Sequence, residues 1–87
     1  MDLAAYANAL RRREALKAAR DEAEVAANIV RAQQREGQVD SLVLLDAERT
    51  FAEAQAQVAD INGQVADAQI DLFRALGGGW QAGPRAG

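Results

Sequence analysis

From Leu44 to Ala75 one apolar seam runs without a slip. Leu44, Ala47, Phe51, Ala54, Val58, Ile61, Val65, Ala68, Leu72 and Ala75 alternate three and four residues apart. That is the left-handed coiled-coil period, and it commits the segment to a helix packed lengthwise on another helix. Alternation of large residues with alanine lets the partner backbone come close. Beside the seam, Ala52, Ala56, Ala59 and Ala66 supply a second small-residue face, to which Ile70 and Phe73 add bulk. Two apolar faces imply more than one neighbouring helix.

One neighbour lies in the same chain. Residues 2–36 read as a single helix, because alanine, leucine, glutamate and arginine fill most positions and no glycine or proline interrupts them. Leu3, Tyr6 and Leu10 begin an apolar stripe, which Leu16, Ala19, Ala23, Ala26 and Val30 continue slightly out of step. The six-residue jump from Leu10 to Leu16 predicts a break in the heptad and a local change of supercoil. Val25 and Ile29 widen the apolar face.

Between the two patterns lies Gly37-Gln38-Val39-Asp40-Ser41. Gly37 can adopt the left-handed conformation of a helix C-cap. Asp40 or Ser41 can accept hydrogen bonds from the free amides that open the next helix. Asp40 also sits favourably against the positive end of that helix's dipole. The second helix should cover about residues 41–76 and continue through the weak point Asn62-Gly63. Gly77-Gly78-Gly79 should stop it, with Trp80 as an anchor and residues 81–87 as a flexible tail. The fold expected is all-α, an antiparallel two-helix coiled-coil hairpin over residues 1–80. Each helix would span about 50 Å.

Composition removes several function classes. The 87 residues include no cysteine and no histidine, so thiolate chemistry and the commonest general base and metal ligand are absent. The formal charge of −3 is uneven. Residues 1–39 hold seven basic and six acidic side chains, and residues 40–87 three basic and seven acidic. The halves are thus mildly complementary, and an acidic chain is a poor binder of nucleic-acid phosphates. Arg11-Arg12-Arg13 reads as a solvated helix face. Asp60, Asp67 and Asp71 read the same way rather than as a metal site, since only two of them lie four apart. No stretch approaches the roughly 20 apolar residues of a membrane-spanning helix. The opening Met1-Asp2-Leu3-Ala4-Ala5-Tyr6 lacks the basic and apolar regions of a signal peptide.

The motif Gly37-x-Val39-Asp40-x-Leu42-x-x-Leu45-Asp46-Ala47-x-Arg49-Thr50, with Leu72-Phe73-Arg74-Ala75-Leu76-Gly77-Gly78-Gly79-Trp80 about thirty residues on, resembles the C-terminal part of TolC-type outer-membrane efflux channels. Within that family it looks most like the lipoprotein branch serving resistance-nodulation-division pumps. The resemblance covers nearly all of the chain and only a final part of a whole member. It therefore implies a piece of a longer protein. In such channels three copies build an outer-membrane β-barrel and a periplasmic α-helical barrel, whose hairpin turns engage a periplasmic adaptor. The implied role is a passive, trimeric conduit of a tripartite export pump, driven indirectly by an inner-membrane pump, with no enzymatic activity and no cofactor.

Carried over by that resemblance, Gly37, Val39 and Asp40 form the turn that the adaptor grips. Asp46 matches the aspartate near the channel's inner mouth, where three copies would make a cation-attracting ring. Val43 stands where some relatives place a second acidic residue. On the residues alone, Asp46 could equally pair with Arg49 or Arg35 on the surface. Leu42, Val43, Leu44 and Leu45 are more apolar residues than one packing face can bury. They either fold back against the first helix or form a partly exposed patch. The alternative function is a free-standing coiled-coil module that self-associates into a helical bundle.

Overall fold

The computed structural model describes residues 2–86, with side chains through Gly77. Among the described residues there are two helices and no strand: α1, Leu3–Arg35, and α2, Ser41–Ala86. They form an antiparallel hairpin within an envelope of 66 × 27 × 14 Å. Two contacts between them fix the register. Arg31 Nη2 lies 3.0 Å from Glu48 Oε2 near the turn, and Gln69 Nε2 donates to Tyr6 Oη at 3.0 Å near the open end.

Helix α1 is opened by Asp2, whose Oδ1 accepts from the Ala5 amide at 2.7 Å. The chain begins the helix there because a short acidic side chain satisfies an otherwise orphaned amide. Helix α2 passes through Asn62-Gly63 without interruption. Its backbone then continues past Gly77-Gly78-Gly79, where the sequence predicts its end, to Ala86. Glycine weakens a helix by about 1 kcal/mol per residue but neither blocks helical dihedrals nor removes an amide donor. The glycine run therefore permits the helix to continue. Side chains from Gly78 onward lie outside the described residues, and with them the expected Trp80 anchor and the 81–87 tail.

The predicted α2 seam is the inner face. Val58, Ile61, Val65 and Ala68 are buried, while Leu44, Ala47, Phe51, Ala54 and Leu72 are half-buried. Ala75 is exposed. The pairing of Tyr6 with Gln69 shows why: Ala75 lies level with the extreme start of α1, where no partner helix remains to cover it.

The seam on α1 differs from the sequence expectation. Its inward positions are Tyr6, Ala9, Arg13, Leu16, Arg20, Ala23, Ala27, Val30 and Gln34, again alternating three and four apart. There is no break between Leu10 and Leu16. Ala19 and Ala26, expected in the stripe, are exposed, and Ala27 is the fully buried alanine of α1. Arg13 and Arg20 fill seam positions, each with a side chain 31% exposed. Their aliphatic stems can cover apolar surface while the guanidinium groups reach outward, which keeps the heptad continuous where apolar residues are missing. The burial has a local cost: Arg13 Nε makes no hydrogen bond, although Glu14 Oε2 lies 3.9 Å away.

Candidate functional site: the hairpin turn

The turn is built from backbone hydrogen bonds before any side chain contributes. Gly37 has φ +79°, the left-handed conformation that glycine adopts without a Cβ penalty. Its amide donates to the Gln34 carbonyl at 3.0 Å, and the Gln38 amide donates to Gln33 at 2.8 Å. This pair of bonds is the Schellman ending of a helix. It satisfies carbonyls of the last turn and reverses the chain within a few residues.

Asp40 then opens α2. Its Oδ1 accepts from the Val43 amide at 3.1 Å, which settles the cap on Asp40 rather than Ser41. Asp40 itself is exposed and Val39 half-buried. The structure thus brings Gly37, Val39 and Asp40 into one hydrogen-bonded turn at the end of the hairpin.

Just beyond it the apolar run divides. Leu44 faces α1 and is half-buried, whereas Leu42, Val43 and Leu45 are 73%, 45% and 60% exposed. Of the two arrangements open to this run, the exposed patch is the one formed. The reason is geometric: consecutive helical residues advance about 100°, so four in a row cannot share one face. A shallow concavity lined by Leu42, Leu45, Asp46 and Arg49 lies on the side of this patch.

Asp46 sits in that concavity, exposed, with its Oδ1 2.6 Å from Arg49 Nη2. The pairing is with Arg49 and not Arg35. Thr50 Oγ1 also donates to the Asp46 carbonyl at 3.1 Å. Both members of the ion pair are mostly exposed, at 66% and 70%, so the pair contributes little to stability.

Behind the turn the two helices are tied by Arg31 and Glu48, a link that inspection of apolar periodicity alone does not reveal. The side chains are 39% and 41% exposed, and Arg31 is further fixed by donation to Asn28 Oδ1 at 2.7 Å. The signal available in the sequence is the flanking position of both residues, each adjacent to a seam residue (Val30 and Ala47). Such flanks of a coiled coil are where interhelical ion pairs form. Among the described residues no cluster of acidic side chains could hold a metal ion, and no helix is long and apolar enough to cross a membrane.

Residues 2–78 match the sequence model of a family described as outer membrane efflux protein. Outer membrane protein OprJ of Pseudomonas aeruginosa is 37% identical over 83 residues, covering 94% of this chain and 17% of that protein. Pyoverdine export outer membrane protein OpmQ of Pseudomonas putida is 34% identical over 62 residues, covering 71% of this chain and 13% of that protein. The chain therefore spans less than a fifth of the curated relatives it matches. No solved structure matches it.

Proposed function

Since this chain belongs to the outer membrane efflux protein family, we propose that it is the C-terminal periplasmic hairpin of an outer-membrane export channel and that its turn is the contact point for a periplasmic adaptor. The observation that carries the reading is the build of the turn. A Schellman ending and an Asp40 cap hold Leu42 and Leu45 outward, at 73% and 60% exposure. Solvated helix ends do not need such residues, and exposed apolar clusters rimmed by polar groups mark interaction surfaces. Gly37, Val39 and Asp40 shape the contact, and the leucines supply its apolar area.

The channel is a passive conduit in this reading. An inner-membrane pump supplies the energy through the adaptor. Three copies of the complete protein would surround the export path, with Asp46 of each lining a constriction near the turn. The exposure of Asp46 and its contact with an exposed arginine, rather than a buried partner, suit a carboxylate that faces an aqueous path.

The test uses a complete homologous channel. Replacing the glycine that corresponds to Gly37 with valine should impair adaptor docking and export while leaving helix content unchanged. Export at the unmodified rate with the same variant would refute the assignment of the turn. In source cells, an antibody to Gln81–Gly87 should detect a band several-fold heavier than 9.3 kDa in the outer-membrane fraction. A soluble band near 9.3 kDa would instead support the free-standing coiled-coil module.

A further inference from the structure

Asn62-Gly63, the weak point that α2 passes through, has a chemistry of its own. The chain holds three asparagines, Asn8, Asn28 and Asn62, and they differ in what restrains them. Asn8 Oδ1 accepts from Arg11, and Asn28 Oδ1 accepts from Arg31 Nη1 at 2.7 Å. Asn62 is exposed, and among the described residues its carboxamide makes no hydrogen bond; the nearby Gln64 amide donates to Asp60 instead. The residue that follows differs too. Ala9 and Ile29 place a Cβ beside the amide nitrogen after the asparagine, branched in Ile29, whereas Gly63 places none. A Cβ built on Gly63 would meet nothing within 4 Å, so packing inside the hairpin does not require glycine there. We infer that Asn62-Gly63 is a site of spontaneous deamidation, held closed by α2 and open to reaction when that helix opens locally.

The reaction needs only the chain and water. The Gly63 amide nitrogen gives its proton to solvent and attacks Asn62 Cγ. A bond forms between them, the Cγ–Nδ2 bond breaks, and the side-chain nitrogen leaves as ammonia. The product is a five-membered imide. Water then adds to one of its two carbonyls, and nothing is oxidised or reduced. Addition at Cγ restores the main chain with aspartate at position 62. Addition at the main-chain carbonyl routes the chain through the former side chain and leaves an isoaspartyl link. In the closed helix the attack cannot start. The Gly63 nitrogen is tied into the backbone ladder of α2, and helical ψ at Asn62 turns it away from Cγ. Reaction therefore waits on local opening, which is favoured where a poor helix former sits on an exposed stretch.

Placement makes the site consequential. Ile61 and Val65, the largest fully buried side chains, stand on either side of it. The isoaspartyl link inserts a methylene into the main chain between them. The seam beyond position 62 then falls out of phase with the seam before it, and coiled-coil packing depends on that phase. The Gln69–Tyr6 contact that fixes the open end lies on the displaced side. Folding thus protects the site, and conversion undoes the fold in one direction only. The inference uses the hairpin's own backbone and stands whether or not the chain serves in export.

Peptide mapping of the whole 87-residue chain, aged in warm neutral buffer, tests it. Asn62 should convert to acid while Asn8 and Asn28 stay intact, and an isoaspartyl methyltransferase should label the product at position 62. The same chain unfolded in urea should convert faster. Val58→Ala, one turn away and in the seam, should speed conversion in buffer about tenfold by raising the open population. Gly63→Ala should stop conversion with helix content retained, and the aged, labelled fraction of the unmodified chain should melt at a lower temperature. An Asn62 that stays intact in buffer while it converts in urea would overturn the inference. So would equal conversion of all three asparagines, a rate that neither urea nor Val58→Ala alters, or an isoaspartyl fraction that melts like fresh protein.

Discussion

At Gly37 the backbone occupies φ +79° with open space where a Cβ would stand, so substitution there strains the main chain without any clash. Gly37→Ala should therefore cost about 1 kcal/mol of unfolding free energy, with asparagine costing less, as measured by urea titration followed by circular dichroism. Asp40 acts by a different route. Asp40→Ala removes the acceptor of the Val43 amide and should cost about 1 kcal/mol, whereas Asp40→Asn should be nearly neutral because the capping oxygen remains. Both roles were legible in the sequence, because caps depend on a few adjacent residues and little else. Asp46 is the contrast. Its neighbourhood allowed two arginine partners, and the choice of Arg49 follows from helical spacing that places residues three apart on one face. Any ring of charge it makes is a property of several chains, so it leaves no mark on the contacts within one.

Each helix repeats that lesson over a longer span. The α2 seam could be read off directly because every position in it is apolar, and nine of its ten residues face the partner helix. The α1 seam could not be read that way. Arg13, Arg20 and Gln34 interrupt the apolar pattern while keeping the spacing, so a search for apolar residues shifts onto Ala19 and Ala26. Counting long side chains by their stems would have kept the register. The energetic weight of a position should follow its face and not its side-chain type. Ile61, 1% exposed, and Ile70, 50% exposed, lie on the same helix two and a half turns apart. Ile61→Ala should cost about 3 kcal/mol in a folded hairpin, and Ile70→Ala well under 1 kcal/mol in the dilute chain. Equal losses of thermal stability in the two variants would mean that the inner face has been misassigned. The cross-helix pair Arg31–Glu48 is half-exposed on both sides, so its coupling should be small. A double-mutant cycle with Arg31→Ala and Glu48→Ala should give about 0.5 kcal/mol, reduced in molar salt.

Across the whole molecule, the buried apolar side chains among the described residues are Ala27, Val58, Ile61, Val65 and Ala68, a narrow strip in an object 66 Å long. The rest of the inner face is only half-covered, because two helices in contact leave both flanks of their seam open to water. Meanwhile Val25, Ile29, Leu42, Leu45, Ile70 and Phe73 remain at least half-exposed. A hairpin with so little enclosed surface gains much of its stability by covering those outer faces, and covering them requires another helix. Stability should therefore be linked to association, and the linkage has a definite signature. If only the folded hairpin associates, each tenfold rise in chain concentration well above the dissociation constant adds up to about 1.4 kcal/mol per contact formed. The thermal midpoint should then climb by several degrees per decade of concentration, since 1 kcal/mol shifts a domain of this size by about 4–8 °C. Ala59→Glu should flatten that dependence to zero while leaving the midpoint of the most dilute samples unchanged, because its side chain projects from the outer face and not into the seam. A midpoint independent of concentration in the unmodified chain would show that the narrow inner strip suffices by itself. The outer faces would then contribute nothing to folding.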